Sequence, residues 1–442
     1  DAELGGLAMG KQTKSERLRA ERDAVIGRGV RTLNDFFVDH AEGHTLRDVE
    51  GKEYVDLTGG IGVHTTGHRP EAVVRAVKEQ LDKYLHLCAM VFNYEPYVQL
   101  AKVLREIAPL PDGKSALFNS GSEAVENAVK TARAATKRPG VIAFHNSFHG
   151  RTLLCLSLTG KYHPYKVGYE PFVSHVYHAP FPYHYRCPPG HEEDECADIA
   201  LAAIEGIFHA HAADRIAAIL AEPVQGEGGF IVPPKGFFPG LRKLCDEHGI
   251  VLIDDEVQAG IGRTGRMFAI EHFGVQPDLV CTAKALGGGL PISALTGRAA
   301  IMDACVPGSI GGTYGGHPLG CVAAVENVRL VKEALPASRK LGDRIGKRLD
   351  EIQGDHALVG DARGLGCMRA LEFVKDRRTK APAKDETKAI QREARDRGLL
   401  LLTAGWHDNV IRLLPPITMP ATAIDRALDV LEESISAVEK LR

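Results

Sequence analysis

Short, continuous apolar runs alternate through the centre of the chain with amphipathic stretches, and Gly and Pro punctuate the changes. Val141-Ile142-Ala143-Phe144, Ala217-Ala218-Ile219-Leu220 and Ile250-Val251-Leu252-Ile253 lack any polar alternation. Runs this short and this apolar predict strands buried on both faces. Leu279-Val280-Cys281-Thr282 extends the series, and the intervening periodicity predicts helices over 123–135, 198–211 and 237–248. Such strand–helix alternation predicts an α/β domain built on a mainly parallel sheet.

The chain ends carry a different pattern. Residues 43–57 read as a small antiparallel meander turning at Glu50-Gly51-Lys52. After about Val322 a helical run reaches Leu335, and residues 356–373 are strand-like with Gly364 and Gly366 interrupting. A helix over 384–397, a strand over 410–413 and a helix over 421–441 complete the pattern. These segments predict a second, smaller α+β domain assembled from both chain ends. The expected division is 1–74 and 336–442 for the small domain, and 75–335 for the large one.

Composition narrows the function classes. With 54 basic and 57 acidic side chains in 442 residues, the formal charge is −3, so the chain lacks the basic field of a nucleic-acid binder. No apolar stretch approaches the roughly 20 residues of a membrane span, and the first residues lack a signal pattern. The expectation is a cytoplasmic protein acting on small molecules, with no nucleic acid and no membrane. Nine scattered cysteines, an odd number in a large chain, predict reduced thiols rather than a disulfide framework. Cys187, His191 and Cys196 are the only cluster near metal-like spacing, and without a Cys-x-x-Cys knuckle no metal site is expected. The 47 glycines exceed the usual ~7% and imply many tight turns or close backbone approaches to a ligand.

Two glycine motifs mimic phosphate loops. Gly5 to Lys11 fits part of a P-loop, but Gln12 replaces the magnesium-binding hydroxyl and no strand precedes it. Gly260 to Gly265 fits Gly-x-Gly-x-x-Gly, yet the polar Asp254 to Gln258 segment separates it from its strand. Other motifs carry more chemistry. Asn119-Ser120-Gly121-Ser122-Glu123-Ala124 opens a helix after an apolar run, where orphan N–H groups and hydroxyls make an anion site. Taken singly, it reads first as a plain N-cap. Leu252 to Gln258 brings three carboxylates to the end of a buried strand, where open α/β sheets bind ligands. Lys284 sits between a strand and Gly287-Gly288-Gly289, a position where a lysine can be desolvated and used as a Schiff-base amine, although taken singly it reads first as a solvated loop lysine. A phosphate cradle, an acid at a strand end, a lysine some thirty residues later and a second glycine turn are together the parts that hold pyridoxal phosphate.

With those motifs the chain resembles the class III (ω-amino-acid) aminotransferases, fold-type I pyridoxal-phosphate enzymes, from Gly43 to Pro416. The resemblance implies pyridoxal 5′-phosphate carried by Lys284, which then shuttles the proton, with Asp255 pairing with the pyridine nitrogen. It implies Gln258 on the ring 3′-oxygen, Val257 and Phe148 on the two ring faces, His149 beside them, and Gly121 and Ser122 on the phosphate. Thr313 would reach the phosphate from a neighbouring subunit, so a homodimer or dimer of dimers is implied.

For substrates, the resemblance implies an amino donor and a 2-oxo acid. Arg412 would bind the oxo-acid carboxylate, Glu222 would mask that arginine in the other half-reaction, and Arg151 would bind the second carboxylate. Ile61 stands where ornithine and acetylornithine enzymes hold tyrosine, which favours a 4-aminobutyrate-like donor and 2-oxoglutarate as acceptor. The doubled Asp254-Asp255 and the Gly260 to Gly265 run also resemble a branch with ornithine aminotransferases and broad-specificity amino-acid racemases.

Overall fold

A computed structural model describes residues 12–188 and 190–441; the Gly5 to Lys11 stretch lies outside them. After a helix over Lys14–Val25 comes the meander, β1 (Val38–Glu42), β2 (Thr45–Asp48) and β3 (Glu53–Asp56). Its β2–β3 turn forms at Glu50-Gly51-Lys52, because the Asp48 carboxylate accepts the N–H groups of Glu50 and Lys52 and Gly51 supplies a φ of 89°.

The central sheet contains β4 (Gly113–Phe118), β5 (Gly140–Phe144), β6 (Val176–Ala179), β7 (Ile216–Ala221), β8 (Val251–Asp255), β9 (Leu279–Thr282) and β10 (Ser293–Arg298). Their order is β4-β10-β9-β8-β7-β5-β6. The β6-β5-β7-β8-β9 pairings are parallel, and β10 runs antiparallel to both its neighbours. The uniform apolar runs have a physical cause here. Val141, Ala143, Ala218, Leu220 and Ile253 pack with Val125, Ala128 and Val129 of the helix over Gly121–Thr136. Ile142, Phe144, Ile219 and Leu252 point the other way, into a core with Phe237 and Leu241. Both faces are covered, so neither set of alternating side chains is polar.

The helix expected to stop at Leu335 instead spans Pro318–Asp355 and continues through Pro336. Leu341, Ile345, Leu349 and Ile352 keep burying an apolar stripe beyond the proline, and that burial outweighs the lost backbone hydrogen bond. The expected domain boundary after residue 335 therefore falls inside a helix. Beyond it lie β11 (Val359–Leu365), β12 (Met368–Asp376), β13 (Ala381–Pro382), β14 (Leu399–Leu400), β15 (Leu402–Ala404) and β16 (Val410–Leu413), with helices over Lys384–Asp396 and Ala421–Glu439. β11, β12, β16 and β15 form an antiparallel sheet, and β14 pairs in parallel with β3. The two chain ends thus share one sheet.

The reduced-thiol expectation fails at one place. Cys187 and Cys196 form a disulfide with Cα atoms 6.2 Å apart. Cys187 follows a short helical turn at His184–Arg186, and Cys196 lies in the first turn of the helix over Glu193–His211. An odd cysteine count excludes complete pairing, not a single bridge. Among the described residues no helix is long and apolar enough to cross a membrane.

Candidate active site

The carboxyl ends of β8 and β9 and the start of the helix over Gly121–Thr136 surround a cavity of about 390 Å³. Gly121, Ser122, Phe148, His149, Glu222, Asp255, Val257, Gln258 and Lys284 all line it. Ser120 caps the helix through a reciprocal arrangement with Glu123, which leaves the Gly121 and Ser122 N–H groups at a positive helix end. A Cβ on Gly121 would stand 2.8 Å from a Val257 methyl, and one on Gly150 would stand 2.2 Å from the Ser122 hydroxyl. The backbone is therefore drawn in around this end of the cavity as closely as glycine permits.

The buried Asp255 also lines the cavity. His149 Nδ1 is 2.7 Å from its Oδ2, and the Val257 N–H donates to its Oδ1 at 3.1 Å. His149 Nε2 is buried without a hydrogen-bond partner. Lys284 follows β9 with φ 31°, a left-handed conformation unusual for a residue with a side chain. Burial lowers its ammonium pKa, against the opposing pull of Glu227 and Asp255. An amine poised in this way can act as a nucleophile or carry a proton.

The glutamate assigned from sequence to Arg412 is corrected by the geometry. Glu222 Oε1 accepts the Phe148 N–H at 2.9 Å and Oε2 the Gly226 N–H at 2.8 Å, so it buttresses two loops and does not contact Arg412. Burial, with Asp255 nearby, pushes its carboxyl up to about 7. The partner of Arg412 is Glu227, with Oε1 2.6 Å from Nη1. Burial alone would raise the Glu227 pKa, but Arg412 and Lys284 outweigh it and hold the carboxyl down at about 2. Both glutamates lie in the Glu222-Pro223-Val224-Gln225-Gly226-Glu227 motif; spacing along the chain does not distinguish them. Glu222 directly follows β7 and is caught by backbone donors, whereas Glu227 rides the loop that faces β16.

Arg412 itself is buried behind Glu227 and stacks on Phe230, its guanidinium 5.6 Å from the ring centre. Gln258 Oε1 lies 3.5 Å from its Nη1. Arg151 is exposed and sits over the Tyr165 ring at 5.2 Å. Tyr165, missed from sequence, donates its hydroxyl to Glu227 Oε2 at 3.2 Å. Ile61 is half exposed with φ 61° and is absent from the cavity lining, where Val63 stands instead. Thr313 is exposed and does not line this chain's cavity.

The Gly260 to Gly265 loop has a structural task. Arg263 is fully buried and donates to the Pro415 carbonyl and to Thr65 Oγ1, and a Cβ on Gly262 would stand 2.5 Å from Val331.

The family model for class-III aminotransferases matches residues 25–435. The chain belongs to the class III aminotransferases. It is 46% identical over 424 residues to the 4-aminobutyrate aminotransferase GabT of Escherichia coli, covering 95% of this chain and 98% of that one. The 5-aminovalerate aminotransferase DavT of Pseudomonas aeruginosa matches with the same identity and coverage. Among solved structures, a Bacillus anthracis aminotransferase superposes with a TM-score of 0.89 at 27% identity, covering 97% of this chain and 99% of that one. A thermostable omega transaminase variant from Pseudomonas jessenii gives 0.88 at 27% identity, covering 95% and 98%.

Class III aminotransferases use pyridoxal 5′-phosphate. The residues of this aminotransferase fit it: an anion-binding helix start for a phosphate, a buried carboxylate for a protonated ring nitrogen, a desolvated lysine, and apolar Val257 and Phe148 for the ring faces. When bound, the group supplies the electron sink for amino transfer.

Proposed function

We propose that this aminotransferase moves the amino group of a linear ω-amino acid, of the 4-aminobutyrate or 5-aminovalerate kind, to 2-oxoglutarate, giving a semialdehyde and L-glutamate. The observation that carries the reading is the buried Glu227–Arg412 pair at the cavity wall. An ω-amino acid has no carboxylate beside its amine, and for such a donor Glu227 keeps Arg412 neutralised. A 2-oxo acid or α-amino acid brings its own carboxylate to Arg412, which binds it with directional hydrogen bonds once Glu227 lets go. Arg151 holds the carboxylate at the far end of either substrate. Lys284 Nζ, its affinity for protons lowered, takes and returns the proton at the reacting carbon. Asp255, oriented by His149, holds the ring nitrogen of the cofactor. The names of the relatives, 4-aminobutyrate and 5-aminovalerate aminotransferases, support the donor class. In this reading the enzyme is a cytoplasmic homodimer, with Thr313 from the second copy completing the phosphate end.

The test adds 4-aminobutyrate, 5-aminovalerate, L-ornithine and N-acetyl-L-ornithine singly to the cofactor-loaded enzyme without oxo acid and records the cofactor absorbance. Conversion with the first two is expected. Conversion by ornithine alone would refute the donor class. Loss of optical purity of an L-amino acid without net conversion would show racemisation.

A further inference from the structure

Tyr165 lies in the long connection between the helix over Leu153–Leu158 and β6, and it touches three parts of the site at once. Its ring packs against Phe148 with centres 4.8 Å apart, its face carries the Arg151 guanidinium at 5.2 Å, and its hydroxyl donates to Glu227 Oε2 at 3.2 Å. Burial and the Glu227 charge raise its pKa, so the phenol keeps its proton and stays a donor. The connection is also tied down. Lys161 Nζ donates to the Gly405 carbonyl at 2.8 Å and pairs with Asp408, while the Gly405 N–H donates to the Glu227 carbonyl at 3.1 Å. The Tyr165 and Glu227 loops are thus fastened to one point, and the phenol–carboxylate distance does not depend on either loop alone.

We propose that Tyr165 is a positioning residue that links recognition of the two substrate ends: its hydroxyl steadies Glu227 in the Arg412-paired state, and its ring seats Arg151. The inference rests on the reading of Glu227 as the group that masks Arg412. The two carboxylate oxygens divide the work. Oε1 faces Arg412 and is the one that a substrate carboxylate displaces. Oε2 stays on Tyr165, so the carboxylate turns about a retained hydrogen bond and returns to the same place.

The experiment compares Tyr165→Phe, Tyr165→Leu and Glu227→Gln as cofactor-loaded enzymes. Single-turnover absorbance changes give the concentration dependence for 4-aminobutyrate and, separately, for L-glutamate; calorimetry gives the affinity for glutarate, a non-reacting dicarboxylate. Tyr165→Phe keeps the ring and loses the donor. Its half-saturation for 4-aminobutyrate rises about tenfold, the scale of one hydrogen bond to a charged group, with the limiting rate unchanged. Glutamate half-saturation and glutarate affinity stay level or improve, because Arg412 is more easily freed. Tyr165→Leu also removes the seat of Arg151, so glutarate binding weakens as well. If Tyr165→Phe changes both substrates alike, or neither, while Glu227→Gln separates them, Tyr165 has no positioning role. If Glu227→Gln itself fails to separate them, the masking reading fails first. Should the leucine variant not fold, the phenylalanine variant, which preserves packing, decides alone.

Discussion

Glu227→Gln removes one charge from a pair that the fold holds away from water. The Arg412 and Glu227 side chains are 3% and 15% exposed, so solvent screens the pair only weakly. The Glu227 carboxyl sits at about 2 against an ordinary 4.5, a gap that converts to about 3 kcal/mol of preference for the charged form. The folded value lies below the unfolded one. The contribution is therefore present above pH 4.5 and is lost as pH falls through about 2. Glutamine cannot supply it and leaves a buried guanidinium whose Nε already lacks a partner. At pH 7 the variant is expected to lose about 3 kcal/mol of unfolding free energy, the lower end for breaking a buried pair. Its half-reaction with 4-aminobutyrate should slow about tenfold or more in kcat/KM, while that with glutamate is kept or improved. Denaturant unfolding and single-turnover absorbance measure the two effects. Equal slowing of both half-reactions, or this separation appearing in Glu222→Gln and not in Glu227→Gln, would refute the assignment.

Lys284→Ala should keep the fold but lower turnover by roughly 10³-fold or more, a loss on the upper scale of general acid–base catalysis, and intact mass after borohydride treatment should show no cofactor attached. Burial raises Glu222 to about 7 and Glu256 to about 8. For carboxyls held above their unfolded values, stability is highest below about pH 4.5 and falls as pH rises through those values; Glu256→Gln should flatten the part of this decline near pH 8 in unfolding measurements. Gly121→Ala places a methyl 2.8 Å from Val257 and should weaken cofactor retention on dialysis, with an overpacking cost of about 1–3 kcal/mol. In denaturant without reductant, thiol titration should find seven free cysteines, and Cys187→Ser should cost about 2–3 kcal/mol, the entropy of a short closed loop.

Much of this enzyme is legible in its sequence because the relevant forces are local. Buried parallel strands must be apolar throughout, so β5, β7 and β9 stand out as short uniform runs. The Ser120–Glu123 cap, the Glu50-Gly51-Lys52 turn and the lysine between β9 and the Gly287 to Gly289 run act over a few residues. Their chemistry can be read from spacing. Tyr165 had no such signal. It is one of three tyrosines in the segment from Tyr162 to Tyr169, and nothing along the chain marks which ring meets Phe148 and Arg151. The helical run read as far as Leu335 continues through Pro336, since the apolar stripe that follows overrules a local helix-breaker.

Sequence alone determined the α/β class, the lysine between β9 and a glycine turn, the carboxylate at the end of β8 and the capped helix start at Gly121, since each depends on residues adjacent in the chain or on a periodic pattern. The choice of Glu227 over Glu222 was a tertiary decision. The two glutamates lie five positions apart in one motif, and only the packing of β16 against the Gly226 to Gly229 loop brings one of them to Arg412 while the Phe148 and Gly226 amides capture the other. The same is true of the Cys187–Cys196 bridge and of Tyr165. Each joins segments whose meeting is set by how the connecting loops pack on the sheet, and no short-range preference records that.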